Sequence, residues 1–541
     1  MVIKGINTLL LPILIMIILE TNLISNAIAQ RSNPPGDDET KFLYSFKGGL
    51  GGEGKREDTY EYFHISVAEN WCDVASKDNY YFVTGCYSNS TYEKFADQKR
   101  SPLPPVRGGD DVTEAYIAMF ENKTNKLVVL RTSQQSTSLT EGTALCLDNN
   151  GHLYSAGTLK STIKFSNLLF TKIGLKDAFI VKSVVKSLKT DRDFQYQIGG
   201  LNAEVTITKI RAGKDNYIYI VGRFKGRIKF PSNTTPIELK SEPTRFGIFY
   251  AKIDGSSGNT VWAKSAGNEK EDSEALGLDL DKDDNLYITG YYKGKAEFEQ
   301  KKRISSKGEE DIFIAKINSD DGSCVWLASS GGEKKDKAYS ITISPDGNCF
   351  ITGEIFYEAQ FNSADDFKQS IELTATFNRT NFFYAKYSAQ GQLLAADVFR
   401  SPNDCYAFDI KHDGNEHLYI TGAFRDYFIV KNDTIPNATD EKSASYNAFL
   451  AKFRVKRDNS PIFEFVHPLG YGGYRIKNRL DAKETPLKWA AIGKSIAFDS
   501  KKNVYLVGYS VGDIPFGDDR TYGVKSNVPV IFFTKFGSYG E

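Results

Sequence analysis

The sequence predicts an all-β fold, a seven-bladed β-propeller of four-stranded antiparallel blades, on three observations. A short apolar run ending in glycine occurs seven times: YFVTG (Tyr81 to Gly85), LYSAG (Leu153 to Gly157), IYIVG (Ile218 to Gly222), LYITG (Leu286 to Gly290), CFITG (Cys349 to Gly353), LYITG (Leu418 to Gly422) and VYLVG (Val504 to Gly508). A second run follows each after a loop: AYIAMF (from Ala115), AFIVK (Ala178), FYAKI (Phe249), FIAKI (Phe313), FYAKY (Phe383), FLAKF (Phe449) and FFTKF (Phe532). From Gly85 to Gly508 is 423 residues over six intervals, a mean spacing of 70.5. Self-similarity at a fixed period marks a repeat architecture, and a β-rich unit of this length is more than a hairpin and less than a self-sufficient domain.

Residues 1–29 read as a secretory signal peptide: Lys4, an apolar stretch from Leu9 to Leu19, then Ala27-Ile28-Ala29. That order suits an inserting core followed by the small side chains a peptidase needs, and the apolar run is short for a bilayer span of about 20 residues. The first cysteine is Cys72, far from the expected cleavage point. Residues 30–41, with Pro34, Pro35 and Gly36, form a disordered linker, and 42–541 are the propeller.

The repeat is clearest from Thr260 to Ile317. VWAKSAG (from Val261), LGLDLD (Leu276), LYITGYY (Leu286) and DIFIAKI (Asp311) each alternate with period two and end at turn residues, Lys282-Asp283-Asp284-Asn285 closing one hairpin and Ser319-Asp320-Asp321-Gly322 another. A sheet of four such strands has two apolar faces, which only sheets like itself can bury, and seven around an axis satisfy all of them. The VWAKSAG-type strand follows each FIAKI-type strand through a short hairpin, except after FFTKF at the C-terminal end. FLYSFKGG (42–49) has the matching pattern and no hairpin partner before it. It is therefore expected to supply the outer strand of the last blade and close the ring.

These motifs resemble the bacterial seven-bladed propellers built of SBBP repeats. The match lies in Gly331-Gly332 through Asp336, Ser344-Pro345-Asp346-Gly347-Asn348, Phe350 to Gly353, and Asp177 through Lys182, and it extends over about 42–536. LYSAG, Met119 and the long insertions in copies one and seven depart from it. The resemblance implies a secreted, periplasmic or cell-surface propeller and no assigned activity.

Composition narrows the function classes. Lys plus Arg and Asp plus Glu are 68 each, so no net field draws nucleic acid or an acidic membrane surface. The five histidines, His64, His152, His412, His417 and His467, show no zinc-ligand spacing, and His152 and His417 read as surface turn residues. Nucleophile-elbow, phosphate-cradling and dinucleotide loops are absent from the sequence. No catalytic residue, cofactor or dedicated metal is expected. Asp279, Asp281 and Asp283 have the alternate spacing of a calcium loop, but the further bidentate acid is missing and the place is a hairpin turn. Cys72 and Cys86, on adjoining strands of the first blade, are the disulfide candidates, with the condition that a one-residue register shift would put the thiols on opposite faces. The other four cysteines read as small buried residues.

Function is expected where loops are long. Of the two longest excursions, 86–114 and 471–493, the second holds Tyr471, Tyr474, Arg475, Lys477, Arg479 and Trp489, residue types that anchor contacts. The expected role is an exported, monomeric, non-enzymatic binding module for a protein or glycan, not inserted in the membrane once the signal is cleaved. The alternatives are a propeller lyase or hydrolase with its site at the channel mouth, and a structural envelope or matrix component.

Overall fold

A computed structural model describes residues 72–88, 106, 112–123, 127–267, 270–364, 368–376, 378–430, 433–436, 446–455, 461–469, 475–477, 484–486, 491–515 and 523–537. They form a seven-bladed β-propeller. Six blades have four antiparallel strands, with inner strands Asp73–Lys77, Thr140–Leu147, Glu204–Ala212, Ser273–Leu280, Lys337–Ile343 and Cys405–His412 in order. The glycine-ended run is the second strand and the AK-type run the third; the VWAKSAG-type strand is the outermost. In the seventh blade Ala491–Phe498, Val504–Pro515 and Gly523–Phe536 pair in the same order. The stretch 42–49, expected to complete it, lies outside the described residues.

Blade and sequence repeat are thus offset by one strand, the last strand of one blade being followed directly by the inner strand of the next. The ring closes between blades 7 and 1. Ser495 Oγ donates to Asp73 Oδ1 at 2.6 Å, and Tyr81 stacks on Phe533 with centroids 4.2 Å apart and planes 8° from parallel. Burying an aromatic pair of this kind contributes about 0.5–1.5 kcal/mol beyond its area.

The recurring glycine has a steric cause. In blades 2 to 7 the inner strand bulges at one residue, Thr143, Thr208, Leu276, Tyr339, Phe408 and Lys494 respectively. The glycine of the second strand pairs with the residue just before the bulge, as Gly353 does with Ala338. A Cβ at Gly222, Gly290, Gly353, Gly422 or Gly508 would fall on the carbonyl oxygen two residues before the bulge, so that no larger residue fits.

Blades 2 to 6 carry a feature the sequence reading leaves as loop, a small hairpin between the second and third strands. These hairpins are Ile163–Phe165 with Leu168–Phe170, Arg227–Phe230 with Ile237–Lys240, Lys295–Phe298 with Lys302–Ser305, Glu358–Asn362 with Ser370–Thr374, and Tyr427–Val430 with Asp433–Pro436. Each reaches back to the outer strand of the preceding blade, through Ser133 and Phe165 or through the bridges Gly199–Lys229, Gly267–Glu297, Gly331–Gln360 and Arg400–Ile429. Each also lays a phenylalanine on that of the third strand, as Phe230 on Phe249 (5.7 Å) and Phe361 on Phe383 (4.8 Å). The Gly-Gly motif makes room for this clasp: a Cβ at Gly200 or Gly332 would strike the carbonyl that opens the next hairpin, Arg227 or Glu358. The aspartate four residues on from Gly332, Asp336, accepts hydrogen bonds from the amides of Gly332 (2.7 Å) and Phe356 (2.9 Å).

No helix among the described residues is long and apolar enough to cross a membrane.

Candidate functional site

Inner strands run along the axis, so residues at matching positions of the seven blades form rings around the central channel. The position after the bulge holds Asp73, Ala144, Lys209, Gly277, Ser340, Asp409 and Ser495, and two residues further lie Ala75, Cys146, Arg211, Asp279, Thr342, Lys411 and Ala497. Six of these fourteen ring positions are therefore charged, Asp73, Lys209, Asp409, Arg211, Asp279 and Lys411. Lys209 of blade 3 brings its Nζ to 3.9 Å from Asp73 Oδ1 of blade 1, across the intervening blade. Arg211 Nε is 3.4 Å from Asp279 Oδ1, and Lys411 Nζ 3.8 Å from Asp409 Oδ1.

The three aspartates staple blades together. Asp73 accepts the Leu145 amide of blade 2 on Oδ2 (3.0 Å) and Ser495 of blade 7 on Oδ1. Asp279 accepts the Ile343 amide of blade 5 (2.9 Å). Asp409 accepts Ser340 Oγ of blade 5 (2.6 Å) and the Ile496 amide of blade 7 (2.8 Å). Burial works against the charge of Asp73, but Lys209, Ser495, Arg211 and the Leu145 amide outweigh it and hold its carboxyl below the usual range.

At the end of the channel where the inner strands begin, the bulge residues make the mouth asymmetric. Thr143 and Thr208 donate to the Ile207 and Ala275 carbonyls of the following blades (2.7 and 2.6 Å) and present little surface. Blades 5 to 7 place Tyr339, Phe408 and Lys494 there instead, all half-buried. Tyr339 lies 5.3 Å from Phe408, Tyr406 stacks on Phe408 at 6.0 Å, and Tyr446 stands 5.9 Å from Tyr406. The Lys494 ammonium sits 3.9 Å above the Phe408 ring, and burial pulls its pKa down to about 8. Glu354 stands beside this arc; burial raises its carboxyl pKa against the opposing pull of Lys337 and a hydrogen bond from Tyr339. Towards blade 4 the wall continues through Tyr291, 4.4 Å from the Lys337 ammonium, and the carboxylate of Glu274, which takes Arg223 Nη1 at 3.1 Å. The result is a half-accessible surface of rings flanked by charges of both signs, which can hold a ligand through stacking, cation–π contact and hydrogen bonds.

This mouth lies on the long-loop rim singled out from the sequence, yet its residues are different ones. Of the residues named there, Arg475 and Lys477 lie in a short strand, Arg475–Lys477, paired with Glu484–Pro486. Tyr471, Tyr474, Arg479 and Trp489 fall outside the described residues. The signal for Tyr339, Phe408 and Lys494 was present in the repeat, one residue after the Ala or Gly that opposes the glycine, and could be found only by knowing that a bulge turns that residue to the mouth.

The other sequence candidates resolve separately. Asp279 is engaged on the axis, whereas Asp281 accepts the Asp283 and Asn285 amides of its own turn (2.9 and 3.0 Å) and pairs with Lys316. His152 and His417 close equivalent turns onto Asp148 and Asp413 at 2.8 and 3.0 Å. Among the described residues no cluster of three or more His, Cys, Asp or Glu side chains could hold a metal. The register is out of step with a Cys72–Cys86 bridge. Asp73 pairs with Thr84, which puts Cys72 at the bulge position, while Cys86 lies two residues beyond Thr84 and faces Ala115 on its other side. Both thiols are buried, and burial raises the Cys72 pKa to about 12.

The fold and site together define a seven-bladed β-propeller with a charged axis and an aromatic mouth. No family model matches the chain. Over 300 residues it is 23% identical to an uncharacterized WD repeat-containing protein of Acanthamoeba polyphaga mimivirus, a stretch that is 50% of this chain and 19% of the viral protein. Among solved structures it is similar to the acylaminoacyl peptidase of Pyrococcus horikoshii (10% identity, TM-score 0.37, 82% of this chain and 49% of the peptidase). It is also similar to the β-propeller domain of the trilobed protease of Pyrococcus furiosus (10% identity, TM-score 0.35, 82% and 89%). The chain thus spans about a fifth of the viral protein's length and about half of the peptidase's.

Proposed function

We propose that this propeller is an exported, non-enzymatic binding module that takes a protein or glycan ligand on the long-loop rim, over the channel mouth. The observation that carries the reading is the arc of half-buried rings from blades 5 and 6, Tyr339, Tyr406 and Phe408, with Lys494 of blade 7 and Glu354 beside it. Rings held by a rigid scaffold lose little freedom on binding and stack on sugar faces or on the side chains of an extended peptide. Export rests on the charge, apolar core and Ala27-Ile28-Ala29 order of the first 29 residues, and kinship with the SBBP-repeat propellers on the Gly-Gly-x-x-x-Asp and Asp-Ala-Phe motifs.

The test is retention of purified residues 30–541 on glycan and envelope-protein arrays, beside Tyr339→Ala, Phe408→Ala and a deletion of 471–493. Loss of retention in the two point variants, with folding preserved by circular dichroism, is the expected result. Equal retention by all forms, or no retained ligand at all, would defeat the assignment.

A further inference from the structure

The channel below the mouth carries a second, independent site. Lys209 of blade 3 reaches Asp73 of blade 1, and Arg211 of blade 3 lies in the fields of Asp279, Asp73 and Asp409 of blades 4, 1 and 6. Lys411 of blade 6 lies in those of Arg211, Asp409, Asp279 and Lys209. Blades that are not neighbours share only the axis, so these side chains converge there.

Within that cluster hydrogen bonding is lopsided. The carboxylates are largely saturated by blade-to-blade bonds: Asp73 by Val74 N, Ser495 Oγ and Leu145 N, Asp409 by Ser340 Oγ, Ile410 N and Ile496 N, and Asp279 Oδ2 by Ile343 N. The cations stand off from them at 3.4 to 3.9 Å, beyond hydrogen-bond length. Among the described residues neither the Lys209 nor the Lys411 ammonium donates a hydrogen bond to the protein, and the Arg211 guanidinium gives one from Nη1, to the Ile210 carbonyl at 2.9 Å. Their side chains are 15%, 18% and 19% exposed for Lys209, Lys411 and Arg211. Partly buried ammonium and guanidinium groups require acceptors, and of the carboxylate oxygens on the axis only Asp279 Oδ1, which faces Arg211, is not taken up by a backbone amide or a serine hydroxyl.

We propose that Lys209, Arg211 and Lys411 form an axial site for one small oxyanion, a carboxylate or phosphate group. The guanidinium offers a planar fork for two oxygens of such a group and the two ammoniums approach from blades 3 and 6, so the anion joins opposite sides of the ring that the aspartates do not connect. The site does not depend on what occupies the mouth.

Equilibrium binding of radiolabelled inorganic phosphate, and separately of acetate, to residues 30–541 at fixed ionic strength tests this. One saturable anion per chain is expected, with Lys209→Gln and Lys411→Gln each weakening binding about tenfold or more, as for loss of a charge-assisted hydrogen bond. Lys264→Gln, whose ammonium pairs with Glu299 away from the axis at 3.4 Å, should leave binding unchanged. Should either axial variant fail to fold, bromide anomalous scattering from crystals of the unaltered chain gives the answer, a peak between Lys209 and Lys411 being expected. Absence of saturable binding, equal binding by folded axial variants, or no anomalous peak on the axis would overturn the proposal.

Discussion

Asp73→Ala is the most informative single perturbation, because one carboxylate ties blades 7, 1 and 2 where the ring closes. The substitution leaves the buried Leu145 amide and Ser495 hydroxyl without their acceptor and strips Lys209 of its facing charge. A hydrogen bond to a charged group is worth about 1.5–3 kcal/mol, and removing one partner of a buried charged set costs about 3–5 kcal/mol. Relief of the burial penalty on the carboxylate offsets part of this, so the expected loss is about 3 kcal/mol. Urea unfolding followed by tryptophan fluorescence reads it as a lowered midpoint at unchanged slope. The pH dependence fixes the mechanism. A carboxyl whose pKa is depressed in the folded state contributes stability above its unfolded value of about 3.9, lost as pH falls through the folded value. The gap between parent and variant should therefore be full at pH 6 and shrink below about pH 4. Ser495→Ala should cost less alone and couple to Asp73→Ala by about 1 kcal/mol in a double-mutant cycle. A loss under about 1 kcal/mol for Asp73→Ala, or no coupling, would refute the argument that this carboxylate holds the closure.

Two further outcomes test the repeat chemistry. Gly353→Ala pushes a methyl into the Lys337 carbonyl and should cost about 3 kcal/mol or more, whereas Gly151→Ala, in an open turn at φ +85°, should cost about 1 kcal/mol; equal urea midpoints for the two would contradict the bulge explanation. Asp311 accepts the Lys307 amide at 2.6 Å but leaves Oδ1 buried without a partner, and burial raises its pKa to about 6. A carboxyl with a raised folded pKa destabilises progressively as pH rises from its unfolded value to about 6. Asp311→Asn, which puts there the residue blades 5 and 6 already use as Asn381 and Asn447, should gain about 1–2 kcal/mol over the parent at pH 7.5 and little at pH 4; a gain independent of pH would contradict it.

The blade count, the strand order and the rim with long connections were legible because each rests on a local, repeated requirement. A glycine ends LYITG because a bulged strand crosses it, and Asp336 follows Gly332 because one turn needs a carboxylate acceptor. The back-reaching hairpins were not legible: strands such as Ile163–Phe165 are three residues long and take their partners from the blade before. The binding residues named from the sequence were chosen by exposure of residue types in a long loop, whereas the mouth residues lie inside strands that read as core. Residues such as Tyr339 and Phe408 have the same letters as core aromatics, and only the bulge decides which way they face.

By itself the chain determines a set of seven similar sheets that must shield one another, since period-two alternation and turn chemistry act over a few residues. The tertiary structure decides what meets on the axis. Lys209, Arg211, Asp279, Asp409 and Lys411 stand up to 202 residues apart in sequence, and no local rule brings them together. Only the rotation from blade to blade does, by pointing one edge of every sheet at a common line.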